Sequence, residues 1–218
     1  MTASKTLKLT HGENIPIYMD YFELMKGFLL SPVETFRNVR DTGPEDSLMY
    51  YLVLLVINAV LTAIVMLAMV NTIRMAVSGL LGQAGLPLPA VTGAGVVFVA
   101  LVLIIVQFIL VFIGAAWLHL YIYLLGGRKG YVQTLKAVTF GSTPSLLFGW
   151  IPFIGLLAGI WTIVLEILGV RELQEMTTAQ AALAVILAIL VILLILIVIA
   201  AFFVIAYSEI IQGPVTVV

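Results

Sequence analysis

Side chains able to do chemistry are scarce in this chain of 218 residues, which holds ten Lys and Arg, eleven Asp and Glu and two His. Serine proteolysis needs a serine, a histidine and oxyanion donors converging at one depth. The histidine in an apolar run, His119, is flanked by Trp117, Tyr121 and Tyr123, which is the pattern of an interfacial belt. A metal centre lacks ligands, because His11 and His119 are far apart and the carboxylates fall in connections. Cysteine is absent, which removes disulfides, thiolate metal sites and a thiol nucleophile together. No catalytic residue, cofactor or metal is expected, and the chain reads as a non-enzyme.

What remains is a set of polar interruptions in apolar runs: Gln107, His119 and Glu166, with Pro144 among them. A carboxylate at membrane depth is expensive and is a functional candidate by default. For Glu166, pairing with Arg171 or Lys136 competes with a proton or ion relay. Pro144 removes a helix hydrogen bond and frees the Phe140 carbonyl. Either Ser142 or Thr143 satisfies that carbonyl, or it lines a substrate site. Small residues recur beside it. Gly141, Ser145 and Gly149 fall four apart, and Gly155 and Gly159 follow, so two helix backbones are expected to approach closely along facing stripes.

These residues need elements to carry them, and composition says which. Apolar residues make up 63%, charged residues 10%, and mean hydropathy is +1.22. A soluble domain carries about 25% charge, so this chain is an all-α integral membrane protein. The net charge of -1 gives no basic field for nucleic acid. A span needs roughly 20 apolar residues. Five are expected, at about 48–70, 94–125, 133–150, 153–169 and 179–207. The third and fourth are short, with a re-entrant hairpin as the alternative. Nine of the ten positive charges fall in alternate connecting segments, which places the N-terminus in the cytoplasm and the tail 209–218 outside. Thr177 and Gln180 fit a capping box ahead of the last span.

Residues 1–16 read as a flexible N-terminus. From 17 to 46 the apolar residues return at helical spacing, and Ser31-Pro32-Val33-Glu34 reads as a second helix start. Two cytoplasmic amphipathic helices are expected. They lie on the leaflet with Arg37 and Arg40 at lipid phosphates, or they pack on the bundle's own loops.

In this order the pieces are familiar. Asp41-Thr42-Gly43-Pro44 precedes the first span, a basic loop enters Gly130-Tyr131, and Phe140-Gly141-Ser142-Thr143-Pro144 lies in the third. Gly169-Val170-Arg171-Glu172-Leu173 closes the fourth. Over about Tyr18 to Phe203 the chain resembles the Yip family, membrane proteins named for interacting with Ypt/Rab GTPases, and looks closest to its prokaryotic members. The resemblance implies a five-span scaffold with a cytoplasmic N-terminus. A GTPase partner follows by family analogy only.

Two functions compete at this point. The first is a non-enzymatic multi-pass scaffold or adaptor of the cell membrane, working through lipid and a cytoplasmic protein. Arg37, Arg40, Asp41, Gly43 and Pro44 form its partner surface. The second is a small transporter or channel, as one chain or a homo-oligomer, built on Gln107, His119, Pro144 and Glu166.

Overall fold

A computed structural model describes residues 21–81 and 92–212. The expected flexible start, His11, most of the connection after the first span and the end of the tail lie outside the described residues, as does the side chain of Arg74.

Among the described residues every regular element is helical. The order is α1 (Tyr21–Leu30), α2 (Pro32–Asn38), α3 (Pro44–Leu81), α4 (Gly93–Leu124), α5 (Tyr131–Gly141), α6 (Thr143–Phe148), α7 (Ile154–Gln174) and α8 (Thr178–Gln212). Four of them, α3, α4, α7 and α8, are long and apolar enough to cross a membrane. The third expected span, 133–150, is instead two pieces, α5 and α6, of 11 and 6 residues. The break lies at Ser142, two residues before Pro144, whose ring cannot continue the helical hydrogen-bond ladder.

Element ends follow local chemistry. Thr92 caps α4 by accepting from the Gly95 amide at 3.1 Å. Thr177 and Gln180 bond reciprocally at the start of α8. Pro32 occupies the first turn of α2, yet Ser31 makes no side-chain cap. In α3 the helix runs past Asn71-Thr72-Ile73-Arg74, where the sequence suggests a loop, because no proline stops it there. The last helix likewise continues beyond Tyr207 to Gln212.

The core sits at one end. Leu24 and Phe28 of α1, and Phe36 of α2, are buried against Tyr50, Leu54 and Phe140. Phe28 stacks on Phe140 with ring centroids 5.0 Å apart and meets Phe36 edge-on at 4.9 Å. Of the two placements open to this segment, it takes the second: its apolar side covers the bundle. Gly169 permits this approach, since a Cβ there would lie 2.8 Å from the Phe36 ring and 3.2 Å from Ala137 Cα. Beyond Leu55 on α3 and Ala188 on α8 the described side chains of those helices are no longer buried.

Candidate functional site

The charged residues converge where α2, the end of α7 and the loop before α5 meet. Glu172, 8% exposed, is its centre. Its Oε2 accepts from Arg37 Nε at 2.7 Å, and its Oε1 pairs with Arg171 Nη2 at 2.7 Å. The hydrogen bond to Glu172 holds the Arg37 guanidinium above its usual pKa. Arg40 Nη2 donates to the Glu172 carbonyl at 2.6 Å, while its Nη1 reaches Glu175 Oε1 at 3.2 Å. Lys129 Nζ closes the ring on Glu175 Oε2 at 2.5 Å. That bond to Lys129, with the nearby charges of Lys129 and Arg40, holds the Glu175 carboxyl below the ordinary carboxylate range.

Lys136 locks the segment from beneath. Fully buried, its ammonium donates to the Arg40 carbonyl at 2.7 Å and the Thr42 carbonyl at 2.9 Å. A cation buried in this way is held by hydrogen bonds that offset its lost hydration. Gln133 Nε2 adds a third bond, to the Arg40 carbonyl at 3.3 Å. Arg40 Nε and Gln133 Oε1 are buried with no hydrogen-bond partner among the described residues. The Asp41–Pro44 stretch is therefore pinned by its backbone, with the Asp41 side chain exposed and Pro44 opening α3. At Gly43 any side chain would run into the Glu45 carboxylate.

The remaining candidates separate. His119 Nδ1 bonds Thr134 Oγ1 at 2.8 Å, and the same hydroxyl receives Gln174 Nε2 at 3.0 Å. This joins α4, α5 and α7, with the Thr134 hydroxyl shared between the imidazole and the Gln174 amide. The carbonyl freed by Pro144, Phe140 O, accepts from Thr143 Oγ1 at 2.6 Å. The single Thr143 proton is thus used, so Tyr50 Oη donates to Thr143 across 3.0 Å.

Glu166 is not paired as the sequence suggests. Arg171 turns to Glu172, and Lys136 turns to carbonyls. Instead Glu166 lies over Gly141, where a Cβ would come within 2.9 Å of its Cγ. The small-residue stripe on α5 and α6 meets α7 at other positions than the glycine pair alone. Ser145 Oγ bonds Thr162 Oγ1 at 2.7 Å, and Gly155 approaches the Gly149 carbonyl. Gly159 faces open space, so it makes no close approach along the stripe. Gln107 is exposed on α4, where it lines a cavity of about 40 Å³ with Asn58, Thr62, Met66, Val96 and Leu103.

Sequence reading left out Lys136, Glu172, Glu175 and Gln174 as site residues. Glu172 stood within the Gly-Val-Arg-Glu-Leu stretch beside Arg171, but its partner Arg37 lies 135 residues away in the chain. No local pattern reports such a pairing. Among the described residues no group of three His, Cys, Asp or Glu could hold a metal ion.

Comparison with curated proteins and with solved structures gives no match. A family model, the Yip1 domain, matches residues 26–200, a range that holds α2 to α7 complete and all of the ionic partners just described. The chain belongs to the Yip1 domain family.

Proposed function

We propose that the protein is a non-enzymatic membrane scaffold whose α1–α2 segment is a fixed platform for a cytoplasmic protein partner. The observation that carries this reading is the clasp itself. Arg37, Arg40, Lys129, Lys136, Glu172 and Glu175 tie α2 and the Asp41–Pro44 stretch to the membrane helices. A segment so held presents a constant surface, and association then costs little ordering entropy. Leu30, 72% exposed, and the exposed Lys26, Asp41, Glu45 and Asp46 lie on its outer side. The cytoplasmic orientation rests on charge. Arg37, Arg40, Lys129, Lys136 and Arg171 all gather at this end, as the positive-inside rule requires of a cytoplasmic face. The cell membrane is the proposed location, and a GTPase is the partner class suggested by family analogy. The likeness to prokaryotic members belongs to the same reading.

A transporter would need a path. The cavity between α3 and α4, at about 40 Å³, has room for a few water molecules. Replacing Glu166 with Gln separates the readings, since a proton-coupled transporter loses flux while a scaffold keeps its partner.

The direct test is photo-crosslinking from Lys26, Leu30 and Asp41 in native membranes, with mass spectrometry of the products. The expected result is one stoichiometric cytoplasmic protein captured from all three positions. Crosslinks to lipid alone would sink the platform reading.

A further inference from the structure

The hairpin formed by α5, α6 and α7 leaves the bundle by the end at which it enters. The Lys129 amide donates to Gln174 Oε1 at 3.0 Å, and Gln174 Nε2 donates to the Gly130 carbonyl at 2.8 Å. Its two legs are short of charge-free length. Lys136 and Glu166 bound them, leaving residues 137–149 on one leg and 154–165 on the other. Runs of 13 and 12 residues span about 18–20 Å, against a hydrocarbon core of about 30 Å. Counted between these charges, runs of that length suit re-entrant segments better than crossings, although α7 as a whole, with Glu166 inside it, has the length of a span.

Depth can be measured against α3. Asn58 Nδ2 donates to the Leu146 carbonyl at 2.9 Å, and a Cβ on Gly149 would lie 3.7 Å from the same nitrogen. The uncharged part of α3 runs from Ser47 to Ile73, about 40 Å of helix. Asn58 stands about 17 Å along it, with about 22 Å still to go. The hairpin tip is therefore near the middle.

The tip is also built for hydrocarbon. An irregular turn survives there only if its backbone groups are satisfied internally. Most of the turn meets that demand: the amides of Gly149, Ile151, Ile154, Gly155 and Leu156 bond within the hairpin and Pro152 has no N–H, while the amides of Trp150 and Phe153 have no backbone acceptor among the described residues. Trp150 Nε1 donates to the Leu147 carbonyl at 2.8 Å. Phe153, Leu156 and Leu157 are 84%, 73% and 68% exposed, with no charged side chain near them in sequence.

We infer that this hairpin is a half-depth insertion confined to the leaflet at the α2 end. The protein is then a wedge whose partner is a curved lipid surface. One leaflet accommodates the hairpin together with α3, α4 and α8, while the other accommodates only those three. Two additional helices, each about 10 Å across, expand one monolayer relative to its opposite. The wedge fits a membrane convex on the α1–α2 side. This inference needs no cytoplasmic protein, so it stands or falls apart from the platform reading.

The test uses the absence of cysteine. Phe153→Cys in the full-length protein, in vesicles, is exposed to a membrane-impermeant maleimide from each side in turn. Asn38→Cys and Thr72→Cys report the two faces, and Leu156→Cys replaces the first variant if it misfolds. The expected result is opposite-sided labelling of the two controls, with position 153 labelled only after detergent. Labelling of position 153 from the Thr72 side overturns the half-depth insertion. Wild-type protein oriented with α1–α2 outward is then offered small and large vesicles of one lipid composition. Severalfold enrichment in the small vesicles is expected, and equal partition overturns the wedge.

Discussion

Lys136 shows how a single side chain can decide the site. Its ammonium holds two carbonyls of a segment more than ninety residues away. Lys136→Met keeps the stem but takes the ammonium from the Thr42 carbonyl and leaves the Arg40 carbonyl with Gln133 alone, at about 1–3 kcal/mol for a buried group left unsatisfied. The expected outcome is a lower unfolding temperature in detergent and faster proteolysis within residues 38–46. An unchanged digestion pattern would show that the clasp holds without it. Glu175 gives a pH prediction. Its carboxyl is held below the ordinary range by Lys129. Its contribution is therefore complete above the unfolded value, near 4.3, and is lost as pH falls through the lower folded one. Proteolysis at the clasp should accelerate as pH falls below about 4.3, and Glu175→Gln should weaken that dependence, with the Glu172 carboxylate left to titrate against Arg37 and Arg171. High salt should act in the same direction on this exposed pair.

At the scale of elements, two close approaches organise the bundle. Gly169 admits Phe36, so Gly169→Val drives a side chain into the ring and the α5 backbone. Overpacking of this kind costs about 1–3 kcal/mol and should release α1–α2 before α3 to α8 unfold. Hydrogen exchange that rises across 21–39 alone is the signature. Uniform loss of protection would instead make α2 part of one cooperative unit. The broken helix α5–α6 depends on Thr143, whose hydroxyl covers the carbonyl that Pro144 frees. Thr143→Val leaves both Phe140 O and Tyr50 Oη without their partner in a buried place. A loss of about 2–4 kcal/mol is expected, partly recovered when Tyr50→Phe is added, because the stranded donor is then gone while the Phe140 carbonyl stays unpaired. Additive single effects would deny the coupling.

For the whole molecule, the tied mouth of the hairpin has a topological consequence. A hairpin that returns to the face it left does not alter the side on which the next helix starts, whatever its depth. With α3, α4 and α8 each crossing, the chain ends are expected on opposite faces in both the five-span and the half-depth arrangement. Tags at the two termini should be protease-sensitive from opposite sides of the membrane. Sensitivity from one side would overturn the packing of α8 against α4, which Trp117 marks by donating to the Ala188 carbonyl at 3.0 Å.

Much of this was legible in residue order. Apolar runs with few charges predict membrane helices because lipid leaves the backbone no other partner, and α3, α4, α7 and α8 appear where those runs lie. Thr177 with Gln180, and Thr143 with Pro144, are local enough to read directly, since donor and acceptor lie within a turn of each other. Three things waited for the tertiary structure. The side that α1 and α2 cover could not be read from periodicity, which marks an apolar face but not what meets it. Arg37, which pairs with Glu172, and the carbonyls held by Lys136 lie some ninety to 135 residues away, and only folding brings them within reach. The depth of the α5–α7 hairpin depends on its register against α3, and Asn58 sets that register through a contact 88 residues away. Short-range chemistry was written in the sequence, and long-range pairing was decided by how the helices pack.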